Sequence, residues 1–104
     1  MLFIPINPIP SQKLTTSLEG KTVSIYLYLL ANGLFSNIDI DGINIMSGVM
    51  VLNKAPLISR TYMGLNGNLM IVDSLGSDNP FFGLLGSRFI LVYLMKEEID
   101  HALI

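Results

Sequence analysis

Apolar and polar residues alternate along most of this chain, which is the pattern of half-buried β-strands. In residues 12–19 the leucines share one face with Thr16, and in residues 22–30 valine, isoleucine and leucine occupy every second position. Glu19-Gly20 lies between the two stretches and has the residue types of a tight turn. The pattern therefore predicts an antiparallel hairpin.

Two further turn signals, Asn32-Gly33 and Asp41-Gly42, bound the next strands, because these residue types tolerate positive φ. They predict a third strand over residues 35–41 and a fourth over residues 43–52. Gly48 interrupts the fourth strand where the facing pattern slips by one residue. A glycine at such a slip predicts a β-bulge.

The second half of the chain is less regular. Residues 69–73 have almost no polar face, so we expect a short strand that is covered on both sides. Residues 74–86 contain three glycines and Pro80 and are predicted to be irregular, and residues 87–94 alternate again as a last strand. Residues 95–104 place Met95, Ile99 and Leu103 at a spacing of four, which predicts a short helix.

About six short strands without βαβ alternation predict an all-β, mainly antiparallel fold, either a small β-barrel or a sandwich, with a short C-terminal helix. With 104 residues the chain has room for one domain. We assign this domain to residues 11–104. Prolines at positions 5, 8 and 10 alternate with large apolar side chains, so residues 1–10 are predicted to form an extended apolar arm.

Amino-acid composition and net charge argue against several classes of function. Hydrophobic residues make up 51% of the chain and charged residues 13%, so we expect part of the apolar surface to be covered by another subunit. A merely apolar monomer is the alternative. The net charge of -2 argues against binding to nucleic acid. The apolar start has no basic residue before Lys13 and is broken by proline, and no run is long enough to span a bilayer, so we expect neither export nor membrane insertion.

Catalytic chemistry has little support. The absence of cysteine and the single histidine, His101, exclude thiolate chemistry and a histidine metal cluster. Residues 39–44 place oxygens at alternate positions like a calcium loop, but turn chemistry explains them better. Asp73 and Asp78 could act as paired carboxylates, although loop capping is the simpler interpretation. We predict no catalytic residue, no metal site and no cofactor.

Aromatic residues leave two interpretations open. They could form a stacking platform for a sugar or a base, or pack in the core or in a subunit interface. The residues concerned are Tyr26, Tyr28, Tyr62, Tyr93, Phe81 and Phe82.

Turn and core motifs follow one another in a particular order over nearly the whole chain. They are Ile4-Pro5-Ile6, Pro10-Ser11-Gln12, Leu18-Glu19-Gly20-Lys21, Asp41-Gly42, Gly48-Val49, Leu52-Asn53, Pro56-Leu57, Gly67-Asn68, Asp73, Asp78-Asn79-Pro80-Phe81, Gly86 and Arg88-Phe89-Ile90-Leu91-Val92-Tyr93-Leu94. In this order they resemble the plug-type baseplate proteins of contractile-tailed bacteriophages, as found in cyanophage baseplates. Residues 25–30 are apolar, whereas this family more often has charged strands there.

The resemblance implies a non-enzymatic structural component of the tail baseplate, a hub plug or connector that closes or bridges the tail tube. It implies a symmetric oligomer with other tail proteins as partners, located in the virion and, during assembly, in the host cytoplasm. The alternative from the residues is a small β-barrel module that binds carbohydrate or peptide. Apolar residues of the arm and loop aromatics are the candidate interface: Phe3, Ile4, Ile6, Ile9, Tyr62, Phe81 and Phe82.

Overall fold

The computed structural model describes residues 2–58 and 67–95. Within these ranges the chain forms strands and one 3-10 turn. The elements are β1 (Leu2–Ile4), β2 (Ser11–Leu18), β3 (Lys21–Leu30), β4 (Gly33–Ile40), β5 (Ile43–Met50), β6 (Gly67–Asp73), the 3-10 turn Phe82–Leu84 and β7 (Phe89–Met95).

The strands form two antiparallel sheets. One is the meander β2-β3-β4-β5, and the other has the order β1-β7-β6. The main hydrophobic core draws residues from both sheets, so the molecule is a sandwich. The all-β prediction is confirmed, but the barrel alternative is wrong, because no pairing among the described strands joins one sheet to the other.

Two sequence predictions lie outside the described residues. The predicted C-terminal helix covers residues 95–104, of which the structure describes Met95 as the end of β7. Tyr62 also lies outside the described ranges. Within residues 2–58 and 67–95, no helix has the length and apolar character needed to cross a bilayer.

The alternating pattern of the first sheet fills the core as predicted. Val23, Ile25 and Leu27 of β3 are buried, while Tyr26 and Tyr28 lie on the opposite face. The second sheet meets them with its own inward side chains, Leu69, Ile71, Phe89, Leu91 and Tyr93. Leu29 continues this alternation toward the core, but its side chain is 43% exposed, because it lies at the end of β3.

The hairpin turns follow the sequence prediction at two of three places. Glu19 and Gly20 have φ of 51° and 79°, and Asp41 and Gly42 have 51° and 81°, as a tight two-residue turn requires. The turn after β3 differs by one residue. Leu30 pairs with Gly33, so Ala31 and Asn32 form the turn and Gly33 already belongs to β4.

The predicted bulge at Gly48 is confirmed. The register between β4 and β5 slips between Ser36 and Ile38, and again between Ile38 and Asp39. Gly48 has φ of 66°, and its N–H donates to Asn37 Oδ1 at 2.8 Å. The bulged residue therefore finds a side-chain acceptor in place of a ladder partner.

β6 is covered on both faces, as its lack of a polar face predicted. Leu69 and Ile71 lie in the main core. Met70, at 1% exposure, forms a second cluster with Val92 and Leu94 on the other face of the sheet. This sheet is thus buried more completely than the four-stranded one.

The N-terminal segment contributes a strand to the second sheet. Leu2–Ile4 forms β1, which pairs with β7 in the register Phe3 to Val92. Ile4 and Ile6 are buried in the core, at 5% and 7% exposure. Gly86 approaches the Ile6 carbonyl so closely that a Cβ at this position would overlap its oxygen.

A buried tyrosine connects the two sheets. Tyr93 of β7 is 4% exposed, and its hydroxyl donates a hydrogen bond to Glu19 Oε2 in the β2–β3 turn. Burial and, after it, the interaction with the Glu19 carboxylate raise the pKa of Tyr93 well above its usual value. The turn is therefore held to the second sheet by a polar contact.

Substitution Gly86→Ala should destabilise the fold by about 2 kcal/mol or more, because positive φ strains an alanine and the new Cβ meets the Ile6 backbone. The measurement is a urea unfolding curve. Gly83→Ala is the matched control in the same loop, since a Cβ there meets nothing within 4 Å, and it should change stability by less than about 0.5 kcal/mol. Equal losses of stability in the two variants would contradict the close approach of Gly86 to the Ile6 backbone.

The raised pKa of Tyr93 predicts a loss of stability at alkaline pH. Below about pH 10, the usual tyrosine pKa, both states carry the protonated phenol. Above it the unfolded chain releases the proton while the folded protein keeps it, so unfolding becomes more favourable as the pH rises. Chemical unfolding between neutral pH and pH 11 should show a steeper alkaline decline for the wild type than for Tyr93→Phe. Parallel declines would rule out this linkage.

Candidate assembly interface

The loop between β6 and β7 is closed at its base by an ion pair. Asp73 is the last residue of β6, and Arg88 immediately precedes β7. Arg88 Nε donates to Asp73 Oδ1 and its terminal nitrogen to Asp73 Oδ2, both at 2.8 Å. This bidentate geometry is the strongest form of an arginine–carboxylate contact, so it fixes the distance between the two ends of the loop.

The same carboxylate also organises the loop itself. The backbone N–H groups of Leu75 and Asp78 donate to Asp73 Oδ1 and Oδ2, each at 2.9 Å. Ser74 adds two bonds, from its N–H and its hydroxyl, to the Arg88 carbonyl at 2.9 and 2.7 Å. The first turn of the loop is therefore built around one buried acidic side chain.

The electrostatics keep this carboxylate charged. The Asp73 side chain is fully buried, and the Arg88 guanidinium also contacts the exposed Asp78 carboxylate at 2.8 Å. Hydrogen bonds from Arg88 hold the pKa of Asp73 well below its usual range, against the opposing effect of burial. Such a group does not act as a general acid near neutral pH. The two carboxylates share one arginine and cap the loop.

The rest of the loop is tied to the neighbouring segment of residues 53–58. The N–H of Asn53 donates to Asn79 Oδ1 at 3.1 Å, and the Asn53 side chain accepts the N–H of Asp73 at 2.8 Å. Phe81 packs edge-on against Phe89, with ring centroids 4.8 Å apart. These contacts hold the loop at several points along its length.

Apolar side chains nevertheless point outward from this anchored loop. Leu75 is 78% exposed, Phe81 45% and Leu84 37%. Phe82 is half-buried and packs against the main core. Phe81 is therefore the more accessible of the two predicted loop aromatics, and Leu75 is an accessible residue that the sequence prediction did not include.

The predicted arm residues divide into two groups. Phe3, at 62% exposure, and Ile9, at 43%, remain accessible, whereas Ile4 and Ile6 are buried in the monomer. The contact of Gly86 with the Ile6 backbone brings the arm against the β6–β7 loop. We call the exposed residues Phe3, Ile9, Leu75, Phe81 and Leu84 the apolar rim.

The aromatic residues that the structure describes do not form one platform. Tyr93 lies in the core, and Phe81 and Phe82 lie on the β6–β7 loop. Tyr26 and Tyr28 lie on the outer face of the four-stranded sheet, where Lys13 Nζ is 5.2 Å from the Tyr26 ring centroid and Tyr28 stacks on Phe35 at 6.2 Å. They border an open groove of about 690 Å³, lined by Ser11, Gln12, Lys13, Tyr26, Leu27, Tyr28 and Asn37.

The oxygens of residues 39–44 are used by the turn. Asp41 accepts the N–H of Thr22 at 2.9 Å and lies 3.9 Å from Lys21 Nζ. Asp39 accepts a hydrogen bond from the Asn44 side chain at 2.9 Å. The residues that resemble a calcium loop therefore stabilise the β4–β5 hairpin through Asp39 and connect its turn to β3 through Asp41.

Sequence reasoning did not find the role of Arg88. A signal was present, since an aspartate ends one predicted strand and an arginine is the second residue of the next. The pattern does not show that a loop of more than ten residues brings these two side chains back together.

The Asp73–Arg88 pair predicts acid sensitivity. A carboxylate with a lowered pKa in the folded state stabilises the protein fully above its unfolded pKa of about 3.9, and this contribution is lost as the pH falls below it. Asp73→Asn should lower the unfolding midpoint at pH 7 and flatten the decline between about pH 5 and pH 2. Asp78→Asn, at an exposed carboxylate, should do much less. If the stability of Asp73→Asn declined at acid pH as steeply as that of the wild type, the stabilising role of the Asp73–Arg88 pair would be refuted.

Comparison with known proteins covers nearly the whole chain. The model of the family described as cyanophage baseplate Pam3 plug gp18 matches residues 1–97. No curated protein sequence matches significantly. The matched region includes both sheets, the anchored loop and the apolar rim. The chain therefore belongs to the cyanophage baseplate plug family.

Proposed function

We propose that this protein is a structural subunit of a contractile-tail baseplate, a hub plug or connector that closes or bridges the tail tube. The observation that carries the proposal is the β6–β7 loop, which holds apolar side chains outward from a base fixed by the Asp73–Arg88 pair. An apolar contact surface on a rigid support loses little conformational entropy when it binds a partner. Such a surface suits a subunit that must bind its neighbours in one defined position.

The partners in this proposal are other tail proteins and further copies of the chain. Phe3, Ile9 and Phe81 of the predicted interface are exposed, and aromatic residues are enriched at the centres of protein interfaces. Ile4 and Ile6 contribute indirectly, since their burial fixes the segment that carries Phe3. The low charged fraction of 13% also suits a subunit that is surrounded by other subunits.

The proposed mechanism is mechanical and not enzymatic. Asp73 and Asp78, the strongest acid–base candidates of the sequence, are both engaged with Arg88. The subunit would be made in the host cytoplasm, assemble into the virion and hold its position by buried apolar contacts until the tail contracts.

A second candidate function is supported by the groove beside Tyr26 and Tyr28. Its aromatic lining and the adjacent Lys13 could bind a carbohydrate or a peptide. Tyr26→Ala would then abolish saturable binding in a glycan or peptide array without affecting particle assembly. Binding that Tyr26→Ala removes would support this function, and loss of assembly in rim variants would support the baseplate role.

The double substitution Leu75→Ser and Phe81→Ser tests the proposed function. In a phage whose plug gene carries it, incorporation of the subunit into purified particles should fall by about tenfold, because exposed apolar anchors dominate interface energies. The measurement is quantitative mass spectrometry of the particles. Ile43→Ser, at a 62% exposed isoleucine directly after the β4–β5 turn, is the control and should leave incorporation unchanged.

Thermal melts of the purified variants show whether the domain still folds, since Phe81 also contacts Phe89. A folded double variant that enters particles as efficiently as the wild type would contradict the role of the apolar rim.

A further inference from the structure

The outer edge of β2 exposes backbone hydrogen-bonding groups. β2 is the first strand of its sheet and pairs with β3 over eight residues, Ser11 to Leu18, in an unbroken register. Among the described residues, no strand pairs with its other side. The side chains of Ser11, Lys13, Thr15 and Ser17 are exposed, so this edge is accessible.

The register shows which backbone groups face outward. The N–H of Leu29 donates to the Pro10 carbonyl at 2.9 Å, so residue 10 faces β3. Because the direction alternates along a strand, the even-numbered residues of β2 bond to β3 and the odd-numbered residues face away. The N–H and C=O groups of Ser11, Lys13, Thr15 and Ser17 therefore point toward the open edge.

The edge of β6 is covered by the chain itself. The N–H groups of Lys54 and Leu57 donate to the carbonyls of Ile71 and Leu69 at 3.0 and 2.8 Å. A loop over a sheet edge is a common protection against pairing with another chain. The outer edge of β6 is therefore not available for regular pairing with a strand of another chain.

The other two edges are unsuitable for a different reason. β5 has two register slips and a positive-φ glycine at Gly48, which bend the strand and disrupt a regular ladder. β1 has three residues and is followed by Pro5, which lacks an N–H. β2 is thus the one long and regular edge among the described strands, and Lys13 is the only charged residue on it.

We propose that two copies of this protein pair through β2, antiparallel and around a two-fold axis, to form one continuous sheet. An exposed strand edge can add the backbone of another strand to its sheet, and the one suitable edge that a second copy offers is β2 itself. This proposal deepens the self-association included in the proposed function and names the surface that carries it.

One register satisfies all the outward residues. When Leu14 lies opposite Leu14 of the second copy, Lys13 faces Thr15 and Ser11 faces Ser17, so every odd-numbered residue of both strands has a backbone partner. The two leucines, which are half-buried against the main core, then meet at the axis. No like charges lie directly opposite each other, which would be unfavourable.

The experiment is sedimentation equilibrium of the purified full chain across about three decades of concentration. The wild type should show a reversible monomer–dimer equilibrium. Thr15→Pro should raise the dimer Kd by at least about tenfold, because it removes an outward N–H at the interface, while an edge strand tolerates such a proline. Thr15→Ala keeps the N–H and is the control, with an expected change below about threefold.

A charge pair at the same position tests the register. Thr15→Glu places a carboxylate opposite Lys13 of the second copy, and Thr15→Lys places an ammonium there. The glutamate variant should dimerise about tenfold more tightly than the lysine variant, since each contact occurs twice. Both variants lose the hydrogen bond between the Thr15 hydroxyl and Ser24, so this loss affects the two folded monomers equally.

A wild type that stays monomeric at every concentration would overturn the proposal, as would a Thr15→Pro protein that is folded by circular dichroism and dimerises like the wild type. Equal Kd values for the glutamate and lysine variants would overturn the register. None of these results bears on incorporation into particles, so a failure here is distinct from a failure of the proposed function.

Discussion

The Asp73–Arg88 pair is the interaction on which the shape of the β6–β7 loop, and with it the proposed interface, depends. It joins the end of β6 to the start of β7, and the loop between them carries Leu75 and Phe81 outward. A buried carboxylate is costly unless its oxygens are satisfied, and here Arg88 and the N–H groups of Leu75 and Asp78 satisfy both oxygens. The pair therefore defines the loop shape more than it adds stability, because other arrangements would leave a charge buried and unpaired.

Strand edges impose the second constraint. An open sandwich has edges that a barrel would not have, and each must be covered, distorted or paired. In this protein the segment of residues 53–58 covers β6, and bulges distort β5. Among the described residues, the apolar rim and the edge of β2 are the surfaces that we propose for contacts with other subunits. They use different chemistry, since the rim buries side chains and the edge pairs backbone groups.

Much of the first sheet could be predicted from the sequence, because alternation over β2 to β5 is local information and two of its turns contain residues that accept positive φ. The turn after β3 was displaced by one residue, since Asn32-Gly33 suits the central positions of a turn while the pairing of Leu30 with Gly33 decides the outcome. Long-range facts were less accessible. The pairing of β1 with β7 and the Asp73–Arg88 contact depend on how distant segments of the chain meet. The burial of Ile4 and Ile6 depends on this as well, because the sequence pattern of the arm does not distinguish them from the exposed Phe3 and Ile9.

The distribution of apolar residues explains why the fold suits an assembly. A domain of about 100 residues has a limited interior, so a chain that is 51% hydrophobic leaves some large apolar side chains outside. In the described residues these side chains include Phe3 in β1 and Leu75 and Phe81 on a loop whose ends are held by an ion pair. A free monomer gains nothing from holding them outward and rigid, whereas a subunit that must bind its neighbours in one orientation does. The polar contacts at the base of the loop hold these side chains outward, as the proposed role of a baseplate plug subunit requires.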